Sequence, residues 1–320
     1  MIQLVKKKGM VHERAEGIMN KIVFVILHFN AMQITIECIE SIFKFARYDY
    51  YSIVVVDNKS PNGTGISLKE KYLNHPKVHV ILLDENIGFA KGNNVGYKYA
   101  KETLEADFII IPNNDTEFID DHFIDNAIRI FNESAYGILG PNIISARTGA
   151  HQNPHKKELV TREKVVKAIR HYKNERIKHL LMSIFNFPAM HNYLRKMKKA
   201  VKSEKVSRGK ITEQMTNVTL FGACIVYSPL FIEKFNYAFY PEPFMYYDED
   251  LLHYACAKQH LKVIYDPSIT IYHKEKQATQ TINRTYLKQR KFVNKHITNS
   301  IKILYRLMKE DNYYSINDFK

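Results

Sequence analysis

The sequence predicts an α/β fold with a mixed, mainly parallel sheet and helices on both of its faces. Three observations support this prediction. Apolar runs of strand length recur along residues 22–140, segments with helical spacing of apolar residues separate them, and the loops between them are short. Strands and helices that alternate in this way form βαβ units with right-handed crossovers, and such units build a parallel sheet.

The first part of the chain supplies most of this pattern. Strands are predicted at residues 22–27, 52–56, 78–83, 108–111 and 136–139. Helices are predicted at residues 32–45, 65–73, 88–104 and 121–132. Residues 108–111 are apolar throughout, which is typical of a fully buried strand, and Pro112 ends the run because proline has no N–H to donate to a neighbouring strand.

The alternation stops after about residue 147. Strands return at 218–227, 263–265 and 269–272, with a helix at 249–259 and a basic helix over about 281–310. The predicted organisation is a tail (1–20), a first α/β half-domain (21–147), a basic helical insertion (148–215), a second half-domain (216–280) and a C-terminal helical region (281–320).

Composition restricts the class of protein. A hydrophobic fraction of 45% and a charged fraction of 25% are ordinary for a globular protein. The cysteines Cys38, Cys224 and Cys256 lie far apart in apolar contexts, and we expect them to be reduced core residues of a cytoplasmic protein. The longest apolar runs fall well short of the roughly 20 residues of a membrane span, and the N-terminus lacks the apolar core of a signal peptide.

The formal net charge of +14 is concentrated in one segment. Residues 155–214 hold 17 lysine and arginine residues against 5 acidic residues. Three interpretations stay open: a solvated face, a basic amphipathic surface for an anionic membrane or a lipid-linked acceptor, and a nucleic-acid patch. Apolar side chains between residues 180 and 190 favour the second interpretation. On that interpretation the cytoplasmic protein also binds peripherally to the inner face of the membrane. No nucleic acid is expected, because the chain lacks a motif that reads RNA or DNA.

Polar side chains follow two of the predicted strands. Asp57 closes the strand in VVVDNKS, and Asn113, Asn114 and Asp115 follow the strand in DFIIIPNNDTEF. In an open α/β sheet the carboxyl ends of the strands line the ligand crevice. A carboxylate there can accept hydrogen bonds from a nucleobase or a ribose, or bind a hard cation that holds a diphosphate. An Asx turn after each strand is the structural alternative.

The segment ENIGFAKGNNVG, residues 85–96, combines three glycines with three asparagines. These residues cost helix stability, so packing alone explains them poorly. Asn86 can cap the helix that starts near Gly88, and a helix N-terminus favours an anionic group. The spacing matches neither the GxGxxG dinucleotide motif nor the GxxxxGK[ST] phosphate loop. Close helix–sheet packing through small residues is the structural alternative.

Three consecutive acids, Asp248, Glu249 and Asp250, follow the aromatic run in PFMYYDEDLL. Their mutual repulsion raises the pKa of at least one carboxyl, which suits a general base. The alternative is an acidic helix N-terminus, which the helix dipole favours.

The order of these motifs resembles the family 2 glycosyltransferases with the GT-A fold. The pieces that carry the resemblance are VVVDNKS, ENIGFAKGNNVG, IIIPNNDTEF, FGACIVYSP, PFMYYDEDLL and VIYDPSITIYHKEKQAT. They lie within residues 22–147 and 216–279, and the joint pattern is most similar to the bacterial branch of rhamnosyltransferase-like and capsule or O-antigen enzymes. The implied fold has a Rossmann-like nucleotide-binding half and an acceptor or catalytic half.

The resemblance implies roles for individual residues. The implied nucleotide-sugar contacts are His28, Asn30, Asp57, Asn86, Gly88, Gly92, Asn93, Asn113 and Asn114. Asp115 would bind the metal, with His273 as a further metal ligand or acceptor contact. The acidic run contains the catalytic base, and Glu249 and Asp250 both remain candidates beside Asp248. A surface position is the alternative for both His28 and His273.

One departure from the family pattern concerns the metal. Asn113 stands where the family motif has its first acid, so metal binding rests nearly on Asp115 alone. The implied activity is transfer of a sugar, with inversion, from a UDP-, dTDP- or GDP-sugar to a hydroxyl of a glycan or polyprenyl-linked acceptor, assisted by Mg²⁺ or Mn²⁺. Two rival classes are a non-catalytic nucleotide-sugar-binding protein, which Asn113 keeps open, and a nucleic-acid binder, which leaves the strand-end Asp and Asn residues unexplained.

Overall fold

The computed structural model describes residues 19–158, 160–184, 209–275 and 286–310. The strands are β1 (Ile22–His28), β2 (Tyr51–Asp57), β3 (Val78–Leu82), β4 (Phe108–Pro112), β5 (Thr116–Phe118), β6 (Tyr136–Ser145), β7 (Met215–Thr216), β8 (Cys224–Tyr227) and β9 (Lys262–His273). The helices are α1 (Met32–Phe45), α2 (Thr64–Lys71), α3 (Phe89–Glu102), α4 (Phe123–Ser134), α5 (Arg162–Ile184), α6 (Pro229–Lys234), α7 (Asp248–Lys258) and α8 (Tyr286–Glu310).

In the described residues these strands form one sheet, in the order β3-β2-β1-β4-β8-β6-β9-β5, with β7 added to β9. The strands β1 to β4 are mutually parallel, and β6 runs parallel to β9 along most of its length. The strand β8 joins these two parallel blocks by antiparallel pairing to β4 and β6. The predicted α/β class with a mixed, mainly parallel sheet is confirmed.

Helices cover both faces of the sheet because alternate strand residues point to opposite sides. On β1, Val23 and Val25 belong to the core under α3, α6, α7 and α8, whereas Phe24 and Ile26 belong to the core under α1, α2 and α4. These four side chains are at most 1% exposed. Burial on both faces explains why the central strands are apolar without alternation.

Four predicted strands differ from the observed ones. The strand predicted at 218–227 begins only at Cys224, because the preceding residues leave the sheet and pair with the segment before α5 through a Lys156–Thr219 bridge. The strand predicted at 136–139 continues to Ser145 along β9. The strands predicted at 263–265 and 269–272 are one strand, with a register shift in its pairing to β6.

The basic region folds back onto the C-terminal helix. The helix α5 packs along α8, with the Arg162 guanidinium 5.5 Å from the centre of the Tyr305 ring. The predicted tail up to residue 18, the apolar side chains between residues 180 and 190, and the end of the chain beyond residue 310 lie outside the described side chains. Within the described ranges, no helix has the length and apolar character needed to cross a membrane.

Candidate active site

The carboxyl ends of the first four strands meet at one edge of the sheet. His28 is paired with Asp57 where β1 and β2 end, and Asp57 with Leu82 at the end of β3. Asn113 follows β4 and forms a parallel bridge with Leu27. The topology thus brings the predicted strand-end residues to a common edge, where ligands of open α/β sheets bind.

His28 is fully buried at this edge and is therefore no surface histidine. Its Nδ1 lies 2.8 Å from Thr35 Oγ1 and its Nε2 lies 2.9 Å from Thr64 Oγ1. Burial lowers the pKa of His28 to about 4, although the nearby Asp57 carboxylate acts in the opposite direction. His28 is thus a neutral link between the end of β1 and the helices α1 and α2.

Asp57 and Asn30 form a second small network beside His28. An Asp57 oxygen accepts a 2.5 Å hydrogen bond from the Ser60 hydroxyl, and Ser60 Oγ accepts a 2.8 Å bond from the Asn30 N–H. The carboxylate is closed in by α2, since a Cβ at Gly65 would lie 2.1 Å from Asp57 Oδ2. Asn30 Oδ1 is buried and has no hydrogen-bond partner among the described residues, so it is an unused acceptor at the ligand edge.

The loop before α3 is held by Asn58. Its Nδ2 donates to Asn86 Oδ1 and to the Gly88 carbonyl, both at 3.1 Å, and its Oδ1 accepts a 3.0 Å bond from the Ile87 N–H. Asn86 bonds the Gly88 N–H and stays exposed, but the N-cap position itself is Gly88 rather than Asn86 as the sequence suggested. The loop and the first turn of α3 are therefore fixed in place before any ligand binds.

Gly88 meets the second half of the protein at this point. Its φ of 88° and ψ of −178° belong to a region that is essentially restricted to glycine. An added Cβ would lie 2.5 Å from the Phe244 carbonyl oxygen, which itself accepts a 2.8 Å hydrogen bond from the Phe89 N–H. Glycine is required here because the segment that leads to the acidic triplet crosses the start of α3.

Gly92 and Asn93 lie inside the packing between α3 and the sheet. A Cβ at Gly92 would lie 2.6 Å from the Leu27 side chain, and Asn93 is 1% exposed with its Nδ2 bonded to the Phe89 carbonyl. The neighbouring Asn94, by contrast, ties α3 to the Ala238 and Phe239 backbone. In this structure Gly92 and Asn93 thus serve the packing of α3 on the sheet.

Asn113 and Asn114 follow β4 as predicted and are both partly exposed. The Asn113 N–H donates to the Ala223 carbonyl at 2.7 Å, and Asn114 Nδ2 donates to Thr35 Oγ1 at 3.1 Å. The first bond holds the turn after β4 against the segment before β8, and the second ties it to α1.

Asp115 and His273, which are far apart in sequence, are brought together by the antiparallel pairing of β5 with β9. His273 Nε2 lies 3.3 Å from Asp115 Oδ1, and both side chains are nearly buried. The other imidazole nitrogen, Nδ1, lies 2.9 Å from Gln152 Oε1. His273 is therefore not a surface histidine.

The hydrogen bonds of Gln152 indicate which ring nitrogen of His273 carries a hydrogen. Gln152 Nε2 donates to Glu275 Oε1 at 2.8 Å, so its Oε1 must face His273. His273 Nδ1 therefore carries a hydrogen, and Nε2 and a carboxylate oxygen of Asp115 face each other. A cation bound between these two atoms would stabilise the contact.

The donor set at Asp115 and His273 fits a divalent metal. A carboxylate oxygen and an imidazole nitrogen are ligands that Mn²⁺ accepts, and the Gln152 contact orients the ring as outer partners of metal-bound histidines do. Within the described residues, however, no group of three or more His, Cys, Asp or Glu side chains is placed to hold an ion. A metal here therefore needs further ligands from a bound molecule or water.

The acidic triplet begins α7 after two residues with left-handed backbone. Tyr246 and Tyr247 have φ values of 73° and 64°, which is uncommon for bulky residues and typical of strained functional turns. The three carboxylates that follow point into different surroundings, which separates their roles.

Asp250 and Asp248 are both nearly buried, but in different ways. Lys156 Nζ lies 2.6 Å from each oxygen of the Asp250 carboxylate. Burial, together with the neighbouring charge of Glu249, raises the pKa of Asp248 well above its ordinary value. Asp250 is thus occupied by an ion pair, whereas burial favours the protonated form of Asp248.

Glu249 is the partly exposed member of the triplet. Its Oε1 accepts a 3.3 Å hydrogen bond from the Gly222 N–H, and a Cβ at Gly222 would lie 2.8 Å from the same oxygen. The next residue, Ala223, accepts the hydrogen bond from Asn113. Two backbone contacts therefore connect the Glu249 carboxylate with the turn that carries Asp115.

Four residues of this arrangement are not singled out by the sequence: Asn58, Gln152, Lys156 and Gly222. Asn58 and Gly222 do lie in motifs quoted for the resemblance, VVVDNKS and FGACIVYSP. Gln152 and Lys156 lie in a stretch that carries no local signal, and their partners are more than 90 residues away in sequence.

A family comparison identifies the protein class. Residues 23–199, more than half of the chain, match the model of glycosyl transferase family 2. The chain belongs to glycosyl transferase family 2. This agrees with the family that the order of the sequence motifs suggested.

Curated relatives match over shorter stretches. A dTDP-rhamnosyl transferase, RfbF, of Shigella flexneri is 35% identical over 102 residues, which is 32% of each chain. The low-salt glycan biosynthesis hexosyltransferase Agl10 of Haloferax volcanii is 30% identical over 92 residues, 29% of this chain and 28% of the relative. The chain thus matches about a third of the length of these relatives.

Solved structures share the fold. TarS 1–349 of S. aureus, in complex with UDP, superposes with a TM-score of 0.50 and 17% identity over 79% of this chain and 60% of its own. The mannosyltransferase PcManGT of Pyrobaculum calidifontis, in complex with GDP-Man and Mn²⁺, gives a TM-score of 0.50 and 12% identity over 97% of this chain and 69% of its own. The GT-A fold of family 2 is confirmed.

Proposed function

We propose that this family 2 protein transfers a sugar from a nucleotide diphosphate sugar to an acceptor hydroxyl, with inversion at the anomeric carbon and with Glu249 as the base. The observation that carries the proposal is the connection between two clusters at one sheet edge. The first cluster is the pair Asp115 and His273, and the second site is the Glu249 carboxylate. The Gly222 N–H donates to Glu249, and the Asn113 N–H donates to the Ala223 carbonyl, which joins the two.

The donor is assigned to the carboxyl edge of β1 to β4. Asp57 and the unused Asn30 Oδ1 offer acceptors for the N–H and O–H groups of a base and a ribose. The exposed Asn86 and the first turn of α3 border the sugar diphosphate, where the positive end of the helix favours an anion. UDP-, dTDP- and GDP-sugars all carry these groups, and the relatives and neighbours include proteins named for dTDP-rhamnose, UDP and GDP-mannose.

The diphosphate leaves from the side of Asp115 and His273. The buried carboxylate and the oriented imidazole are the residues that would hold Mg²⁺ or Mn²⁺ there. Such an ion would neutralise the negative charge that develops on the departing diphosphate. The solved neighbour in complex with GDP-Man and Mn²⁺ supports the use of a divalent metal.

Glu249 takes the proton from the acceptor hydroxyl. The hydroxyl oxygen forms the new bond to the anomeric carbon as the bond to the diphosphate oxygen breaks, and the proton moves to the Glu249 carboxylate. A single displacement of this kind inverts the anomeric centre. Asp250 is less suited to this role because Lys156 occupies both of its oxygens, and Asp248 because it is nearly buried and its raised pKa favours the protonated form.

The acceptor is proposed to be a glycan or polyprenyl-linked saccharide of a bacterial surface polysaccharide such as capsule or O-antigen. Two features support it: the similarity to RfbF and the excess positive charge of residues 155–214. Peripheral binding to an anionic membrane surface on the cytoplasmic side belongs to the same proposal.

A panel assay tests the proposed function. Purified protein is incubated with UDP-, dTDP- and GDP-sugars, Mn²⁺ or Mg²⁺, and octyl glycosides as acceptors, and the release of nucleoside diphosphate is measured. One donor should be turned over, turnover should stop with EDTA, and Asp115→Ala should reduce it at least a hundredfold. Binding of a donor without turnover would instead favour a non-catalytic nucleotide-sugar-binding protein.

A further inference from the structure

A cavity of about 920 Å³ lies between α5, α8 and the segment that contains Phe244. Its volume is within the range of ligand-binding pockets. Its lining includes five basic residues: Lys173 and Arg176 from α5, and Lys291, Lys295 and Lys302 from α8. None of the residues treated above as donor, metal or base candidates lines it.

The five cations of this pocket, called the α5–α8 pocket below, come from one face of each helix. Positions 173 and 176 are three residues apart, and positions 291, 295 and 302 follow the spacing of one helical stripe. In the described part of the chain none of the five forms an ion pair with a carboxylate. Like charges around a single cavity repel one another, and an anionic ligand would relieve that repulsion.

The one acid of the α5–α8 pocket does not balance this charge. Glu242 is engaged by the Arg306 guanidinium and accepts a 2.7 Å hydrogen bond from the Tyr240 hydroxyl. Two apolar side chains, Ile177 and Phe244, also line the cavity, and Ile177 is 48% exposed. The pocket therefore suits a ligand with both a strongly anionic group and an apolar part.

The wall of the α5–α8 pocket is continuous with the segment that carries Glu249. The Phe244 ring contacts the His296 ring of α8 in a tilted arrangement with 4.9 Å between centroids, and the Ser300 hydroxyl of α8 donates to the Met245 carbonyl at 3.2 Å. The chain then turns directly into α7. Five residues span at most about 17 Å, so the base lies within reach of a ligand held in this pocket.

We propose that the α5–α8 pocket binds the phosphate or diphosphate of a lipid-linked acceptor and so presents the acceptor hydroxyl to Glu249. The proposal rests on the proposed function for the identity of the hydroxyl, but not for the binding of the anion. It assigns the phosphates of donor and acceptor to separate places: the donor's beside Asp115, the acceptor's between α5 and α8.

Titration calorimetry in EDTA, without a donor, tests the pocket with farnesyl diphosphate and with inorganic pyrophosphate. The wild type should bind both, farnesyl diphosphate more tightly, because Ile177 and Phe244 contact the alkyl part. Lys295→Glu with Lys302→Glu should weaken both at least tenfold, and the glutamine pair should do so to a smaller extent. The matched control, Lys44→Glu with Lys69→Glu, changes the net charge equally at exposed positions elsewhere and should change binding less than twofold.

Three outcomes would overturn the proposal. One is equal binding by the wild type and the Lys295/Lys302 variants, provided that circular dichroism melting shows both to be folded. The second is loss of binding in Asp115→Ala, which would place the anion at the donor site. The third is flotation of the wild type with phosphatidylglycerol vesicles without binding of farnesyl diphosphate, which would assign the cations to membrane headgroups. If farnesyl diphosphate binds as predicted but no donor is turned over, the proposed function fails and the pocket assignment stands.

Discussion

Lys156 Nζ lies 2.6 Å from both carboxylate oxygens of Asp250, and this contact joins the segment before α5 to the first turn of α7. It separates two neighbouring acids that are equivalent in the sequence. Asp250 is held in a structural ion pair, whereas Glu249 keeps a partly exposed carboxylate beside Gly222. The choice between the two candidate bases therefore follows from a residue nearly a hundred positions away.

The Lys156–Asp250 pair predicts an asymmetric stability effect. Lys156→Met leaves a nearly buried carboxylate without its cation and should lower the free energy of unfolding by about 1–3 kcal/mol, a range reduced because Lys156 is 38% exposed. Asp250→Asn should lower the free energy of unfolding by less, because the Lys156 ammonium group can be solvated by water. The double variant should recover most of the loss in urea unfolding. Additive losses in the double variant would show that the pair is not coupled.

Asp248 predicts a stability that depends on pH. Its folded-state pKa is raised by burial and by Glu249, so the folded state holds a proton that the unfolded state releases above about pH 4. The wild type should therefore lose stability as pH rises from about 4 toward the folded pKa. Asp248→Asn avoids this loss.

The Asp248→Asn variant should exceed the wild type by at least about 1 kcal/mol in urea unfolding at pH 8, with the difference shrinking toward pH 4. The exposed Asp84→Asn variant controls for the loss of one negative charge. A variant less stable than the wild type at pH 8 would mean that Asp248 is ionised in the folded protein.

Gly88 and Gly63 both have a positive φ, but Gly63 lies in the αL region, whereas Gly88, with ψ −178°, does not. Gly63 has φ 76° and nothing within 4 Å of an added Cβ, so Gly63→Ala should cost about 1 kcal/mol through backbone strain alone. Gly88→Ala adds a 2.5 Å contact with the Phe244 carbonyl and should cost about 2–4 kcal/mol. The melting temperatures of the two variants are compared with that of the wild type. Equal losses of stability would show that the start of α3 does not depend on the close contact with the Phe244 carbonyl.

Local patterns predicted the fold well, and the site in part. The strands from β1 to β4 and the helices between them follow from apolar periodicity, since burial on two faces leaves a clear signal in sequence. The burial of His28 does not follow, because its partners Thr35 and Thr64 are defined only by the packing of α1 and α2.

The meeting of Asp115 with His273 likewise depends on long-range pairing. The sequence suggested both residues as metal ligands. Their closeness, and the orientation of the His273 imidazole by Gln152, come from the pairing of β5, β6 and β9. Gly92 and Asn93 lie in a segment rich in Gly and Asn, and their packing role, the approach of α3 to Leu27 and its neighbours, follows only from the folded sheet.

The most direct test of the account is the turnover of the donor by Glu249→Gln. The donor is the one that the panel identifies, and its affinity is measured separately by calorimetry. The account predicts a turnover rate at least a hundredfold below the wild type, with donor affinity changed less than threefold and an unchanged melting temperature. A Glu249→Gln rate within threefold of the wild type would contradict the assignment of Glu249 as the base and with it the proposed mechanism.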